Sequence, residues 1–127
     1  MNERILVIDD DLAVRKSFAL TLADAGRQVD TAESGEAGLD KAAVDEYDLI
    51  FLDLKMPGIN GVETLIRLRD EGFEMPIYIV TAFHKEFMDQ LRIAASEDYE
   101  FEVMQKPIQS QDLINVTNAI LEGAGAY

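Results

Sequence analysis

Arg4-Ile5-Leu6-Val7-Ile8-Asp9-Asp10-Asp11 and Leu49-Ile50-Phe51-Leu52-Asp53 are the two stretches that decide the fold. Each is a short, unbroken apolar run that stops at aspartate. Runs of this length, rich in branched and aromatic residues, suit strands buried on both faces, the environment of a parallel sheet. Buried strands avoid carboxylates. If the two strands are neighbours, Asp9, Asp10 and Asp53 therefore meet at one edge of the sheet. Crowded carboxylates repel one another unless a cation relieves them, so the pair of acid-ended strands suggests a divalent cation site.

Outward from these runs, strand and helix patterns alternate along the chain. Arg4 to Asp9 is the first strand. A helix over Leu12 to Ala25 follows, with Val14, Phe18, Leu22 and Ala25 on one face and Gly26 as its stop. Gln28 to Ala32 is a shorter, more polar strand that fits a sheet edge. Ser34 caps a helix running to about Val44, with Ala37, Leu39 and Ala43 apolar. Tyr47 to Asp53 is strand three, and Met56-Pro57-Gly58-Ile59-Asn60-Gly61 is a turn rich in helix and strand breakers.

A helix from Val62 to about Asp70 comes next, then strand four over Pro76 to Thr81 and a helix over Lys85 to about Ala95. Strand five spans Phe101 to Gln105, and the last helix spans Gln109 to Leu121, with Leu113, Val116, Ile120 and Leu121 apolar. Five such units predict an α/β fold: a (βα)5, doubly wound, five-stranded parallel sheet with helices on both faces. In such sheets ligands bind beyond the carboxyl ends of the strands. Those ends carry Asp9 and Asp10, Asp53, Thr81 and, just after strand five, Lys106. Four separate elements aim polar groups at one edge.

Composition narrows the function classes. The chain has 127 residues, enough for one domain, and 48% are hydrophobic, enough for a core. Its 25 acidic residues against 11 Lys plus Arg give a formal net charge of -14. That balance argues against direct nucleic-acid binding, which needs a basic face, and suits cations or basic partner surfaces. Cysteine is absent and histidine occurs once, as His84, so thiolate and His-rich metal sites are excluded. Met1-Asn2-Glu3-Arg4 leads directly into a strand without signal-peptide organisation. No apolar run approaches a membrane span. A cytoplasmic protein without membrane attachment is expected.

Four fragments carry a family resemblance: Ile5-Leu6-Val7-Ile8-Asp9-Asp10-Asp11, Leu49-Ile50-Phe51-Leu52-Asp53-Leu54-Lys55-Met56-Pro57-Gly58-Ile59-Asn60-Gly61, Ile79-Val80-Thr81-Ala82, and Lys106-Pro107. In this order and spacing they resemble the receiver domain of bacterial two-component response regulators, over nearly all of residues 4 to 121. The resemblance implies the flavodoxin-like, CheY-like version of the fold, a receiver domain over residues 1–122, and a tail or linker start over 123–127. It implies that Asp53 accepts a phosphoryl group, with Lys106 and Thr81 contacting the phosphoryl oxygens. Mg²⁺ would be held by Asp10, Asp53 and the backbone carbonyl of Lys55, with Asp9 acting through a bound water. The donor would be phosphohistidine on a sensor histidine kinase or phosphotransfer protein. Phosphorylation adds about -1.5 to -2 charges, and the surface of the last two helices and strand five would then be remodelled for a downstream protein, an output domain or a homodimer. Such a chain is a phosphoacceptor switch that catalyses its own phosphorylation and dephosphorylation, more than a metabolic enzyme.

Departures from the family pattern cluster near strand five. Val103 stands where the family often has an aromatic residue, three before the lysine. Phe101, two further back, would point the same way along an ideal strand. Ser96-Glu97-Asp98-Tyr99-Glu100-Phe101-Glu102 is longer than usual and predicts a longer or irregular end to the fourth helix, with an acidic loop. Lys55 and Phe83 take the positions that tune dephosphorylation in the family, and neither orients an attacking water, so a long-lived phosphoryl group is expected. The Lys106-Pro107 bond is expected to be cis, as is usual in the family. His84 is expected at the start of the fourth helix.

Three other readings compete. A haloacid-dehalogenase-like phosphatase needs a second Asp where Lys55 stands. A flavodoxin-like cofactor carrier needs a hydroxyl- and Gly-rich loop where Asp10-Asp11-Leu12 stands. A non-phosphorylated pseudo-receiver that only docks proteins keeps the fold and forgoes the chemistry.

Overall fold

The computed structural model describes residues 3–82 and 84–123. Its elements alternate without interruption: β1 (Arg4–Ile8), α1 (Leu12–Asp24), β2 (Gln28–Ala32), α2 (Gly35–Val44), β3 (Leu49–Asp53), α3 (Gly61–Asp70), β4 (Ile77–Thr81), α4 (Lys85–Ser96), β5 (Glu102–Gln105) and α5 (Ser110–Leu121). The five strands form one sheet in the order β2-β1-β3-β4-β5, with every neighbouring pair parallel. The two acid-ended strands are adjacent, with Ile8 opposite Leu52. Successive side chains of a strand point to opposite faces, and the core divides accordingly. Leu6, Ile8, Ile50, Leu52, Ile77 and Ile79 pack beneath α2, α3 and α4. Ile5, Val7, Leu49, Phe51 and Val80 pack beneath α1 and α5.

The helix ends follow local chemistry. Asp11 caps α1 by accepting from the Ala13 and Val14 backbone N–H groups, and Ser34 caps α2 through Ala37. Asn60 and Glu63 form a reciprocal capping box at α3. Some expected boundaries shift. Strand four begins at Ile77 rather than Pro76, because proline has no N–H to donate, although the Pro76 carbonyl still accepts from Ile50. On α2 the buried positions are Gly35, Gly38 and Ala42; Ala37 and Leu39 are partly buried and Ala43 is exposed. The inward stripe is made of smaller residues than the apolar pattern predicted, which brings the helix close to β1.

The end of the fourth helix, expected to be longer or irregular, takes a defined form. α4 runs one residue past Ala95, and the Tyr99 and Asp98 N–H groups then donate to the Ala94 and Ala95 carbonyls. Asp98 takes a left-handed conformation there, φ 69°. Arg69 on α3 ties the following loop to the α3–β4 connection, donating to the Glu100 carbonyl of the one and to the Phe73 and Met75 carbonyls of the other, and the Tyr99 hydroxyl donates to Asp70. Phe101 lies just before β5 and packs against the α2–α4 side of the core, whereas Val103 is 39% exposed.

Candidate functional site

Parallel pairing of β1 with β3 carries Asp9, Asp10 and Asp53 to the carboxyl end of the sheet, where one oxygen from each lies within 4.8 Å of the others. Asp9 and Asp53 are buried, at 3% and 8% exposure, while Asp10 is exposed. Lys106 reaches the same place from the end of β5. Its Nζ lies 3.2 Å from Asp9 Oδ2 and 3.2 Å from Asp53 Oδ1. Its backbone N–H donates to the Thr81 carbonyl at 2.8 Å, and it precedes a cis peptide bond to Pro107. Thr81 ends β4, 1% exposed and opposite Gln105.

Two buried carboxylates share one ammonium, with a third carboxylate close by, and the electrostatics show it. Burial, followed by repulsion from Asp9, pushes the Asp53 carboxyl up to about 6; Lys106 and the Leu54 N–H only partly offset this. At Lys106 burial works against the charge, but attraction to Asp53 and Asp9 outweighs it and holds the ammonium above its ordinary range.

The loop after Asp53 folds tightly back on the strand. The Gly61 N–H donates to the Leu54 carbonyl at 2.8 Å, and a Cβ at Gly61 would lie 2.3 Å from the Asp53 carbonyl oxygen. Only glycine permits that approach. Lys55 lies in this loop, its side chain exposed. Phe83 falls outside the described residues, as do residues 124–127 of the expected tail. His84 sits at the start of α4 with its ring edge-to-face on Phe87, 6.1 Å between centroids, and makes no capping bond. Beside Lys106 opens a cleft of about 510 Å³ lined by Ala13, Val14, Phe18, Ala82, Pro107 and Ile108 among others.

The donor set fits a hard cation. It consists of oxygens, it is anionic, and Asp10 has no hydrogen-bond partner among the described residues. Mg²⁺ in such a site keeps several waters. The structure thus brings together Asp9, Asp10, Asp53 and Lys106, with Thr81 bonded through its carbonyl to Lys106. One residue went unnoticed in the sequence. Arg15 Nη1 donates to the Asp9 carbonyl at 2.7 Å, and a lone arginine one turn into a helix gives no signal of its own.

Residues 5–118 match the family model for the response regulator receiver domain. The chain is 34% identical to the response regulator MprA of Mycolicibacterium vanbaalenii, covering 98% of this chain and 55% of that protein. It is 35% identical to MprA of Mycobacterium bovis, with 95% and 51% covered. The chain spans about half the length of these curated relatives. Among solved structures, the Thermotoga maritima response regulator TrrA in complex with Mg²⁺ and BeF superposes with a TM-score of 0.79 at 31% identity, covering 94% of this chain and 99% of that one. A CheY-like receiver domain protein from Methanospirillum hungatei superposes with a TM-score of 0.85 at 24% identity, covering 96% and 95%, a likeness of fold.

Proposed function

The chain belongs to the response regulator receiver domain family of two-component systems, and from that premise we propose that it is a Mg²⁺-dependent phosphoacceptor switch centred on Asp53. The observation that carries the proposal is the shared ammonium: Lys106 Nζ at 3.2 Å from both Asp9 and Asp53, at the end of the sheet where ligands of this fold bind. Asp53 would attack phosphorus as a carboxylate, forming an acyl phosphate while the bond from phosphorus to the donor's histidine nitrogen breaks.

Asp10, Asp53 and the Lys55 carbonyl would hold Mg²⁺, with Asp9 contributing through a water. The bound ion would supply charge screening between the carboxylate and the incoming phosphoryl group. Lys106 would leave Asp9 and Asp53 for a phosphoryl oxygen, where a preorganised cation stabilises developing charge. Thr81 would give its hydroxyl to a second oxygen. Response regulators work with histidine kinases and output domains. For this chain the donor would be a kinase or phosphotransfer protein in the cytoplasm. The readout would pass through α4, β5 and α5 to a downstream protein, an output domain or a second copy. Residues 1–122 would be the receiver unit.

The test is labelling by a small phosphodonor such as acetyl phosphate, with and without Mg²⁺. Asp53→Asn is expected to abolish labelling, and omission of Mg²⁺ to do the same for the unsubstituted chain. Equal labelling of both proteins would reject Asp53 as acceptor. No labelling of either would favour a docking module without the chemistry.

A further inference from the structure

Every polar group of Asp9 is bonded within the fold. Its N–H donates to the Ala32 carbonyl at 3.1 Å. Oδ1 accepts from the Asp11 N–H at 2.9 Å and Oδ2 from Lys106 at 3.2 Å. Its carbonyl accepts from Arg15 Nη1 at 2.7 Å. Asp10, the next residue, is the reverse: it is exposed and has no hydrogen bond among the described residues, yet its carboxylate lies within 4.8 Å of those of Asp9 and Asp53. Three carboxylates repel, and nothing attached to Asp10 itself keeps its side chain turned inward.

The restraint comes from the peptide plane. The Asp9 carbonyl and the Asp10 nitrogen belong to one rigid planar unit. A group that fixes the carbonyl also fixes the direction in which Asp10 leaves it. Arg15 is suited to this because its own backbone is fixed to the same turn, with its N–H donating to the Asp11 carbonyl at 3.0 Å. Among the described residues Arg15 forms no ion pair. Its guanidinium is directed at a carbonyl, in a chain with 25 acidic residues to choose from.

We propose that Arg15 is a positioning residue for the cation site: by holding the Asp9 carbonyl, it keeps the Asp10 carboxylate turned toward Asp53 and preorganises the acids for Mg²⁺. The assignment rests on the reading of the acid cluster as a Mg²⁺ site and adds to it a residue outside the acid set. Supporting groups one step removed from a metal matter because a ligand held in place loses less freedom on binding.

The experiment is calorimetric titration of Mg²⁺ into the full chain and into Arg15→Met and Arg15→Lys, each checked by thermal unfolding. Arg15→Met keeps the packing stem and removes the donor, and should weaken Mg²⁺ binding roughly 10-fold. Arg15→Lys should weaken it less, because an ammonium on a flexible stem can reach the carbonyl but holds it without the planar fork. Labelling by acetyl phosphate, followed against Mg²⁺ concentration, should show the same displacement in half-saturation, with the deficit recovered as Mg²⁺ is raised. Unchanged Mg²⁺ affinity in folded Arg15→Met would overturn the proposal, as would a labelling deficit that persists at saturating Mg²⁺. Should Arg15→Met fail to fold, unchanged affinity in Arg15→Lys would overturn it equally. If the unsubstituted chain takes up no Mg²⁺, the cation site itself fails, and the role of Arg15 with it.

Discussion

The two ends of the sheet both set aspartates beside a single basic side chain, yet they treat them in opposite ways. At the amino end Asp30 accepts from the Tyr47 hydroxyl at 2.7 Å and from Arg4 at 2.6 Å. Arg4 also reaches Asp45 at 3.2 Å and lies 5.4 Å from the centre of the Tyr47 ring. The Tyr47 hydrogen bond, helped by Arg4 and opposed by burial, holds the Asp30 carboxyl below its ordinary range. At the carboxyl end one lysine serves Asp9 and Asp53, and Asp53 is pushed up to about 6. The amino end gives the Asp30 carboxylate two donors, which favour its charged form in the fold. The carboxyl end leaves charge unsatisfied, a condition that a cation or a phosphoryl group can exploit and that is typical of functional sites.

Neutralising Asp53 tests this contrast most strongly. Its folded pKa is raised, so the folded protein holds a proton that the unfolded chain has lost, and stability falls as pH rises from about 4 through about 6. Asp53→Asn should therefore stabilise the metal-free protein above pH 7 by on the order of 1–3 kcal/mol. The gain should vanish below about pH 4, and Mg²⁺ should raise the melting temperature of the unsubstituted chain more than that of the variant. Urea unfolding across pH measures it. A destabilised variant at pH 8 would mean that the Lys106 pairing outweighs the burial and repulsion.

At the other end the sign reverses. Tyr47→Phe removes a hydrogen bond to a charged acceptor and should cost about 1–2 kcal/mol at neutral pH. Because the Asp30 pKa is depressed in the folded state, the stability it contributes is present above the ordinary carboxylate pKa and lost as pH falls through the folded one. The penalty should shrink in acid, while acetyl phosphate labelling stays as it was. An equal penalty at pH 3 would remove Asp30 from the account.

The smallest expected effect lies in the loop before β5, on the amino side of the sheet. α1 and α3 end with Gly26 and Gly72 at φ 87° and 91°, and α4 ends the same way with Asp98 at 69°. Aspartate tolerates this conformation less well than glycine. Asp98→Gly should stabilise the protein by up to about 1 kcal/mol, visible as a higher urea midpoint. No gain would show that Asp98 is held by more than the helix-ending hydrogen bonds.

These cases also mark how far the sequence could be read. Strand positions, both acid-ended runs and the cap at Ser34 were legible because each depends on residues within a few positions of one another. The ordered end of α4 was not. The chain from Ser96 to Glu102 reads as an irregular helix end with an acidic loop, but which residues hold it, Arg69 and Asp70 about 30 positions earlier, does not show in that stretch. The roles of Arg4 and Arg15 were hidden for a related reason: an isolated arginine does not reveal which carbonyl or carboxylate it will face.

What the sequence determined by itself was the alternation of apolar runs and helical stripes, and the stopping of two runs at aspartate. Hydrophobic periodicity and local capping are short-range and need no fold to be recognised. Tertiary structure alone decided that Lys106 would stand 3.2 Å from an aspartate 97 positions away, that Asp53 would be buried enough to resist ionisation, and that Arg15 would hold the peptide between Asp9 and Asp10. Those depend on strand order and on the exclusion of water, which arise only when the sheet closes and its helices cover both faces.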